Sequence, residues 1–218
     1  MIATHATEIG RRENNEDSLL VASELGVFAV ADGLGGHAGG EAASRLAVDA
    51  IRDVFTARPR GQRVETTLRE ALETANDRIL TTSLRPTFAR LRGMGTTIVA
   101  LACDAERKRG IVGWSGDSRC YRLRSGALAL VTRDHVVVKP LLHRCLGTTP
   151  GEAGDLREVD LRPGDVMLLC SDGLTDTLED RDIERILDRG GDARALVAAT
   201  LARRERRQDN VSVVVVRL

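Results

Sequence analysis

The sequence predicts an α+β fold, in which two antiparallel sheets pack together and a helix pair covers each outer face. Strand-like and helix-like stretches are segregated along the chain and do not alternate. Four strand-like stretches within residues 96–132 are joined by links too short for a helix, so we expect sequential strands to pair antiparallel. The unbroken apolar run at residues 166–170 is the clearest buried strand.

The first third of the chain predicts a strand, a hairpin and two helices. Residues 2–9 alternate weakly, and apolar runs at 18–22 and 26–30 flank a turn near Gly26. Apolar residues at helical spacing predict one helix over 41–55 and another over 64–79. Pro59 and Gly61 separate the two helices.

The remainder predicts a strand meander, a helix pair and a closing strand. The strand-like stretches are 96–103, 110–114, 119–124, 127–132, 166–170 and 211–218, with a short apolar piece at 136–146 and a Pro-Gly turn at 161–165. Helical spacing recurs at 178–187 and 193–204. No repeat or linker interrupts this order, so residues 1–218 are expected to form a single domain.

The composition excludes several classes of function. Lys+Arg and Asp+Glu number 32 each, so the charge gives no sign of a nucleic-acid or anionic-membrane partner. An aromatic content of 2% also weakens any base-stacking role. No apolar leader or long apolar window is visible, and we expect a cytoplasmic monomer away from membranes. The four cysteines are widely spaced and are expected to be buried thiols, not disulfides or zinc ligands.

The stretch from Val27 to Gly40 organises the candidate site. An apolar strand ends on Asp32 and passes into glycines before the next helix. Glycines let the main chain approach a ligand closely. Two ligands suit this design: a metal ion held by the Asp32 carboxylate and the Gly33 carbonyl, or a phosphate held by glycine N–H groups and the helix N-terminus.

Four aspartates occupy comparable positions at predicted strand ends, namely Asp17, Asp32, Asp172 and Asp209. Any one of them alone would be explained as a turn or capping residue. Together, and without His or Cys nearby, they favour a hard cation such as Mg²⁺ or Mn²⁺ over zinc. If they converge, they repel one another strongly unless cations are bound.

A dinucleotide-binding loop is the competing interpretation of the glycines. Residues 33–38 fit the pattern G-x-G-x-x-G/A between a strand and a helix, and Asp53 follows about 20 residues later. However, Asp32 would then point a carboxylate at the pyrophosphate. The antiparallel middle of the chain also excludes the parallel βαβ repetition that this fold needs.

Six motifs, in the expected order and spanning nearly the whole chain, resemble the type 2C, or PPM, metal-dependent Ser/Thr protein phosphatases, and the bacterial branch is the closer match. The motifs are Arg12-x-x-x-Glu16-Asp17, the block 32–41 from Asp32 to Glu41, Gly93-Met94-Gly95-Thr96-Thr97, Gly116-Asp117-Ser118-Arg119, Ser171-Asp172-Gly173-Leu174 and Asp209-Asn210-Val211-Ser212. The resemblance implies a four-layer αββα sandwich with a two-metal site at one end of the sheets.

The resemblance also implies ligands for two core Mn²⁺ or Mg²⁺ ions. Asp32 would bridge both ions, and the Gly33 carbonyl would bind one of them. Asp172 and Asp209 would hold the other ion together with the surroundings of Asp17.

The remaining roles follow from the same resemblance. Glu16 would act through metal-bound water, and Asp117 matches an aspartate of a third, weaker metal site. Arg12 would grip the substrate phosphate, which makes Arg12 and Asp32 the catalytic candidates. A water bridging the two ions would attack phosphorus, so no Cys or Ser nucleophile is required.

The chain departs from the family pattern in three places. Leu34 stands where some eukaryotic relatives have a candidate general-acid histidine, and His37 is expected to be structural. Val136 replaces the serine of the Thr-x-Asp-His-Ser motif at 132–136. The flap segment, about 134–147, is shorter than usual, which bears on substrate selection and on the third metal.

We therefore expect a phosphatase acting on phosphoserine and phosphothreonine in phosphoproteins that are clients of a Ser/Thr kinase. A catalytically weak family member serving as a regulatory phosphoprotein-binding module is the alternative, and the intact metal positions disfavour it. A metal-dependent phosphodiesterase or nuclease is a weaker rival, because neutral charge and few aromatics provide no nucleic-acid track.

Overall fold

The computed structural model describes residues 1–34, 39–104, 108–138 and 141–218 of the chain. Its strands are β1 (Ile2–Glu8), β2 (Asp17–Ala22), β3 (Val27–Asp32), β4 (Ile98–Asp104), β5 (Arg109–Ser115), β6 (Arg119–Arg124), β7 (Ala127–Leu130), β8 (Val136–Val138), β9 (Leu141–Leu142), β10 (Asp155–Asp160), β11 (Val166–Cys170) and β12 (Val211–Arg217). Its helices are α1 (Gly40–Thr56), α2 (Val64–Ser83), α3 (Asp172–Thr175), α4 (Asp180–Asp188) and α5 (Ala193–Ala202), with a 3₁₀ helix at Pro86–Leu91.

Two five-stranded antiparallel sheets form the centre of the molecule. Sheet I has the strand order β10-β5-β4-β3-β2, and sheet II has the order β1-β12-β11-β6-β7. The strands β8 and β9 form a separate two-stranded hairpin. The closing strand β12 lies between β1 and β11, so the two ends of the chain meet inside sheet II.

Three hydrophobic clusters hold four layers together. One lies between the sheets and contains Phe28, Val99, Met167 and Val214. A second joins sheet I to α1 and α2, and a third joins sheet II to α3, α4 and α5. The αββα sandwich predicted from the sequence is therefore confirmed, because each sheet is apolar on both faces and needs a partner on each.

One prediction about strand pairing is wrong. The link 116–118 does not join neighbouring strands: β5 belongs to sheet I, whereas β6 belongs to sheet II, where it pairs with β11 and β7. The turn is possible because Gly116 adopts φ +107°, a backbone region that favours glycine. The Gly116–Ser118 link thus carries the chain from one sheet to the other.

Three elements were not predicted from the sequence. The strand β10 lies at the edge of sheet I, where only Val159 of its six residues is buried, so the apolar signal is weak. The helix α3 has four residues and the 3₁₀ helix six, too short for helical periodicity to show. The apolar piece at 136–146 contains β8 and β9, and Val137, Val138 and Leu141 are exposed there.

No helix in the described ranges is long and apolar enough to cross a membrane. All four cysteines are free thiols, with Cys120, Cys145 and Cys170 buried and Cys103 partly buried.

We predict that the inter-sheet layer carries much of the stability. Leu169 is fully buried between the sheets, so Leu169→Ala should lower the free energy of unfolding by about 2–5 kcal/mol through lost burial and a cavity. Leu201, which is 37% exposed on α5, is the matched control, and Leu201→Ala should cost less than about 1 kcal/mol. Urea unfolding of both variants tests this, and equal losses would contradict it.

Candidate active site

A cavity of about 630 Å³ opens where strand ends of both sheets meet. Its lining includes seven of the eight site residues expected from the sequence: Arg12, Glu16, Asp32, Gly33, Asp117, Asp172 and Asp209. The eighth, Asp17, does not line the cavity but lies directly opposite Asp32 in the β2–β3 ladder. The structure thus brings together site residues from five separate stretches of sequence.

Asp17 and Asp32 form a partly buried cross-strand pair of carboxylates. Asp17 Oδ2 accepts a hydrogen bond of 2.9 Å from Ser171 Oγ. In the part of the chain that the structure describes, Asp17 Oδ1 is buried and has no hydrogen-bond partner. An orphaned carboxylate oxygen of this kind costs free energy unless a proton or a cation satisfies it.

The surroundings raise the pKa values of both aspartates. Burial, followed by the charges of Asp17, Asp172, Asp209 and Asp117, raises the pKa of Asp32 well above its ordinary value. Burial also raises the pKa of Asp17 to about 6, against the opposing effect of serine hydrogen bonds. The site is therefore a concentration of negative charge that a bound cation would stabilise.

Close backbone packing beside this pair explains two of the glycines. A Cβ on Gly33 would lie 2.3 Å from the Gly40 carbonyl, and a Cβ on Gly40 would lie 2.5 Å from Glu16 Oε2. The main chain of Gly33 also donates to the Glu16 carbonyl, at 3.1 Å. Glycine at position 33 therefore lets the start of α1 approach the hairpin, whereas a side chain at position 40 would displace the Glu16 carboxylate.

Asn210 joins the ends of the chain beneath the site. Its side-chain oxygen accepts from the Glu16 N–H at 2.9 Å, and its amide group donates to the carbonyls of Ile9 and Asn14. The adjacent Asp209 side chain accepts from the Asn210 N–H at 2.8 Å. Asn210 belongs to one of the sequence motifs, but its hydrogen bonds to the backbone of Ile9, Asn14 and Glu16 are visible only in the structure.

Thr97 links Asp32 to the turn that carries Asp117. The Asp32 N–H donates to Thr97 Oγ1 at 3.2 Å, and the Thr97 N–H donates to the Asp32 carbonyl at 2.8 Å. The Thr97 hydroxyl also bonds the Ser118 hydroxyl at 2.7 Å. Asp117 is 8% exposed and faces the same cavity. Thr97 belongs to one of the sequence motifs, but the sequence does not predict its hydrogen bonds to Asp32 and Ser118.

Arg12 stands at the exposed rim of the cavity. Its Nη2 donates to Asp209 Oδ2 at 2.5 Å, and about half of its side chain is open to solvent. The hydrogen bond to Asp209 raises the pKa of Arg12, so the guanidinium stays charged. Arg11 and Glu13 line the cavity beside it.

Two features expected from the sequence, the glycine-rich block and the metal cage, are not seen complete in the structure. Residues 35–38, which include His37 and most of the glycine-rich block, lie outside the described residues. Within the described ranges, no group of three or more His, Cys, Asp or Glu side chains is already arranged as a metal cage. The case for a cation therefore rests on the buried charge and the orphaned Asp17 oxygen.

Comparison with known sequences decides the family. The sequence profile described as Protein phosphatase 2C matches residues 6–211. The chain belongs to the protein phosphatase 2C family. A serine/threonine phosphatase stp of Listeria welshimeri is 32% identical, over 99% of this chain and 95% of that protein. The serine/threonine protein phosphatase PstP of Mycobacterium tuberculosis is 36% identical, over 94% of this chain and 42% of that protein.

Solved structures agree with the assignment. PppA, described as a key regulatory component of T6SS in Pseudomonas aeruginosa, has a TM-score of 0.85 at 35% identity, covering 99% of this chain and 96% of that one. The catalytic domain of PstP in complex with two manganese ions has a TM-score of 0.85 at 32% identity, covering 98% and 96%. This protein phosphatase 2C is thus a bacterial-type protein-serine/threonine phosphatase of a metal-dependent family.

We predict that the Asp17–Asp32 pair makes the metal-free protein less stable as the pH rises. Folding raises the pKa of Asp17 from 3.8 to about 6, so the folded state binds this proton more tightly than the unfolded state. Its contribution is complete below about pH 4 and is lost as the pH climbs to about 6, at up to about 1.4 kcal/mol per pH unit. Asp17→Asn should flatten this slope. Urea unfolding in chelator between pH 4 and 7 measures it, and parallel curves would contradict the prediction.

Proposed function

We propose that this chain hydrolyses phosphoserine and phosphothreonine in phosphoproteins by direct attack of water, with two Mn²⁺ or Mg²⁺ ions at the Asp17–Asp32 pair. The observation that carries the proposal is this partly buried pair of carboxylates, with Asp117, Asp172 and Asp209 at the same cavity. Residues 1–218 would act as one catalytic domain with a shortened flap at about 134–147. The same convergence argues against a purely regulatory binding module, which has no need of so costly a cluster.

The donors present fit such ions. Asp32, Asp172 and Asp209 supply carboxylate oxygens, and Gly33 supplies a carbonyl, which are the hard ligands that Mg²⁺ and Mn²⁺ prefer. The orphaned Asp17 Oδ1 would be satisfied by the positive charge nearby. Glu16 would act through water, and Asp117 would serve a third, weaker site. Bound ions would supply positive charge for the phosphoryl oxygens and lower the pKa of water.

Arg12 is the group that would bind the phosphate. Its guanidinium presents a planar fork of donors that matches two phosphate oxygens, and it stays charged across the physiological pH range. The salt bridge to Asp209 holds this fork at the cavity rim, where a phosphorylated side chain would enter. About half of the Arg12 side chain is exposed, and only Nη2 is bonded to Asp209, which leaves other guanidinium donors for a substrate.

The cysteines give no support to the covalent alternative. A catalytic cysteine needs a depressed pKa, but burial raises the pKa of Cys103 to about 11 and also raises that of Cys145. Leu34, on the cavity wall, carries no proton to give a leaving group. Hydrolysis by water, without a phosphoenzyme, is the chemistry that these residues favour.

The substrates would be the phosphorylated clients of a Ser/Thr kinase. The neutral net charge offers no long-range field for selecting them, so selection would depend on contacts at the cavity rim. The hairpin β8–β9 reaches this rim, because Leu142 lines the cavity.

We predict that phosphate release from a phosphothreonine peptide requires Mn²⁺ or Mg²⁺ and is abolished by Asp32→Asn. Excess chelator should remove activity, and either ion should restore it. Mn²⁺ at 100 times its dissociation constant should also stabilise the wild type by about 2.7 kcal/mol. In chelator, Asp32→Asn should be more stable than the wild type, because it removes a buried charge.

Asp53→Asn is the control for this experiment. Asp53 is exposed on α1, where it pairs with Arg78, and its variant should keep full metal-dependent turnover. Undiminished wild-type activity in excess chelator, or a Mn²⁺-induced stabilisation that survives in Asp32→Asn, would refute the proposed site.

We also predict that Arg12→Ala lowers kcat/KM for the phosphopeptide about 10- to 150-fold. A hydrogen bond to a charged group contributes roughly 1.5–3 kcal/mol, and the Mn²⁺-induced stabilisation should be retained. Arg109 offers a matched control, since it is an exposed arginine in a surface salt bridge with Glu158. If Arg12→Ala behaves like Arg109→Ala, Arg12 is only a surface residue.

A further inference from the structure

His135 is a buried histidine that contacts the turn between the two sheets. Only 5% of its surface is exposed. Its main-chain N–H donates to the Gly116 carbonyl at 2.9 Å, and the Gly116 N–H donates back to His135 Nδ1 at 3.2 Å. His135 therefore forms hydrogen bonds with both the N–H and the carbonyl of Gly116.

The other side of the imidazole is fixed as well. Nε2 lies 3.3 Å from Asp155 Oδ2 at the start of β10, and Asp155 Oδ1 accepts from Arg144 at 2.8 Å. Because Nδ1 accepts from a backbone N–H, the proton must be on Nε2, which then donates to Asp155. The ring also stacks on Trp114, with centroids 6.1 Å apart and planes at 16°. The tautomer and the orientation of His135 are thus both set.

The Gly116 backbone, to which His135 is hydrogen-bonded, leads directly into the candidate active site. Asp117 follows Gly116 and faces the cavity, and Ser118 bonds Thr97, which in turn bonds Asp32. The Gly116 backbone also packs closely against Thr97, since a Cβ on Gly116 would lie 2.6 Å from Thr97 Cγ2. The turn is held between Thr97 on one side and His135 on the other.

We propose that His135 is a positioning residue for phosphate hydrolysis: through its Nδ1 bond to the Gly116 N–H, it holds Asp117 facing the cavity. This inference rests on the proposed function, in which Asp117 serves the reaction. His135 itself is not among the residues that line the cavity. Burial lowers the pKa of His135, which keeps Nδ1 free to accept.

Two substitutions test the two ring-nitrogen hydrogen bonds of His135 one at a time. Asn places an oxygen where Nδ1 stood, so His135→Asn keeps an acceptor for Gly116 and loses the bond to Asp155. Gln places its amide where Nε2 stood, so His135→Gln keeps the bond to Asp155 and loses the acceptor. His143→Gln is the control, since His143 is an exposed histidine whose ring lies 5.2 Å from that of His135.

We predict that His135→Gln lowers kcat/KM of the Mn²⁺-saturated enzyme about 3- to 10-fold, as expected for one lost hydrogen bond. His135→Asn should stay within about 2-fold of the wild type, and His143→Gln should be unchanged. In an Asp117→Ala background, His135→Gln should have no further effect, because the group that it positions is gone. Hydrogen exchange at the Gly116 amide, read by NMR in chelator, should accelerate in His135→Gln and remain slow in His135→Asn.

Specific outcomes would overturn the positioning role. Equal losses in the Asn and Gln variants, the same fold-loss with and without Asp117, or an unchanged Gly116 exchange rate would each assign His135 to packing alone. Those results would leave the proposed function intact, provided that the wild type still requires Mn²⁺ and Asp32→Asn is inactive. A wild type active in chelator would instead refute the proposed function.

Discussion

The structure depends on one unfavourable contact, the burial of two carboxylates directly opposite each other in the β2–β3 ladder. Like charges placed across a ladder destabilise a sheet, and Asp17 and Asp32 are in addition partly buried, which raises the pKa of both. Such an arrangement persists only where the surrounding structure enforces it. Here Ser171 bonds one carboxylate, and Thr97 fixes the backbone of the other. The resulting demand for positive charge is what makes the cavity chemically useful.

The layered fold explains how this contact is enforced. Three apolar clusters fix the two sheets and their helices as rigid units, so side chains at the strand ends have little freedom to move apart. Sheet I contributes Asp17 and Asp32, and sheet II contributes Ser171 and Asn210 at the same end. The Gly116–Ser118 turn crosses between the sheets at this point. The site thus lies at the boundary between the two sheets, and movement of one sheet against the other would disrupt it.

The sequence predicted what local patterns encode. Unbroken apolar runs such as Val166–Cys170 located the buried strands. Aspartates at strand ends indicated the site, because the start of one strand and the end of its antiparallel neighbour lie at the same edge of a sheet. Pairing partners were harder, since link length alone does not reveal that 116–118 changes sheet. The exposed edge strand β10 carries almost no apolar signal. The bridging roles of Thr97, Asn210 and His135 arise from contacts between residues far apart in the chain, which no local pattern contains.

The position of β12 has a consequence for how the protein is made. Arg12 bonds Asp209, and the Glu16 backbone bonds Asn210, across separations of 197 and 194 residues. Ribosomes deliver the chain from its N-terminus, so Asp17 and Asp32 emerge long before the strand that completes sheet II. Contacts of such long range also slow folding, because closing a long loop costs entropy before the contact forms. A nascent or prematurely stalled chain that stops before residue 209 therefore lacks one side of the cavity, which is completed only when nearly all of residues 1–218 have been synthesised.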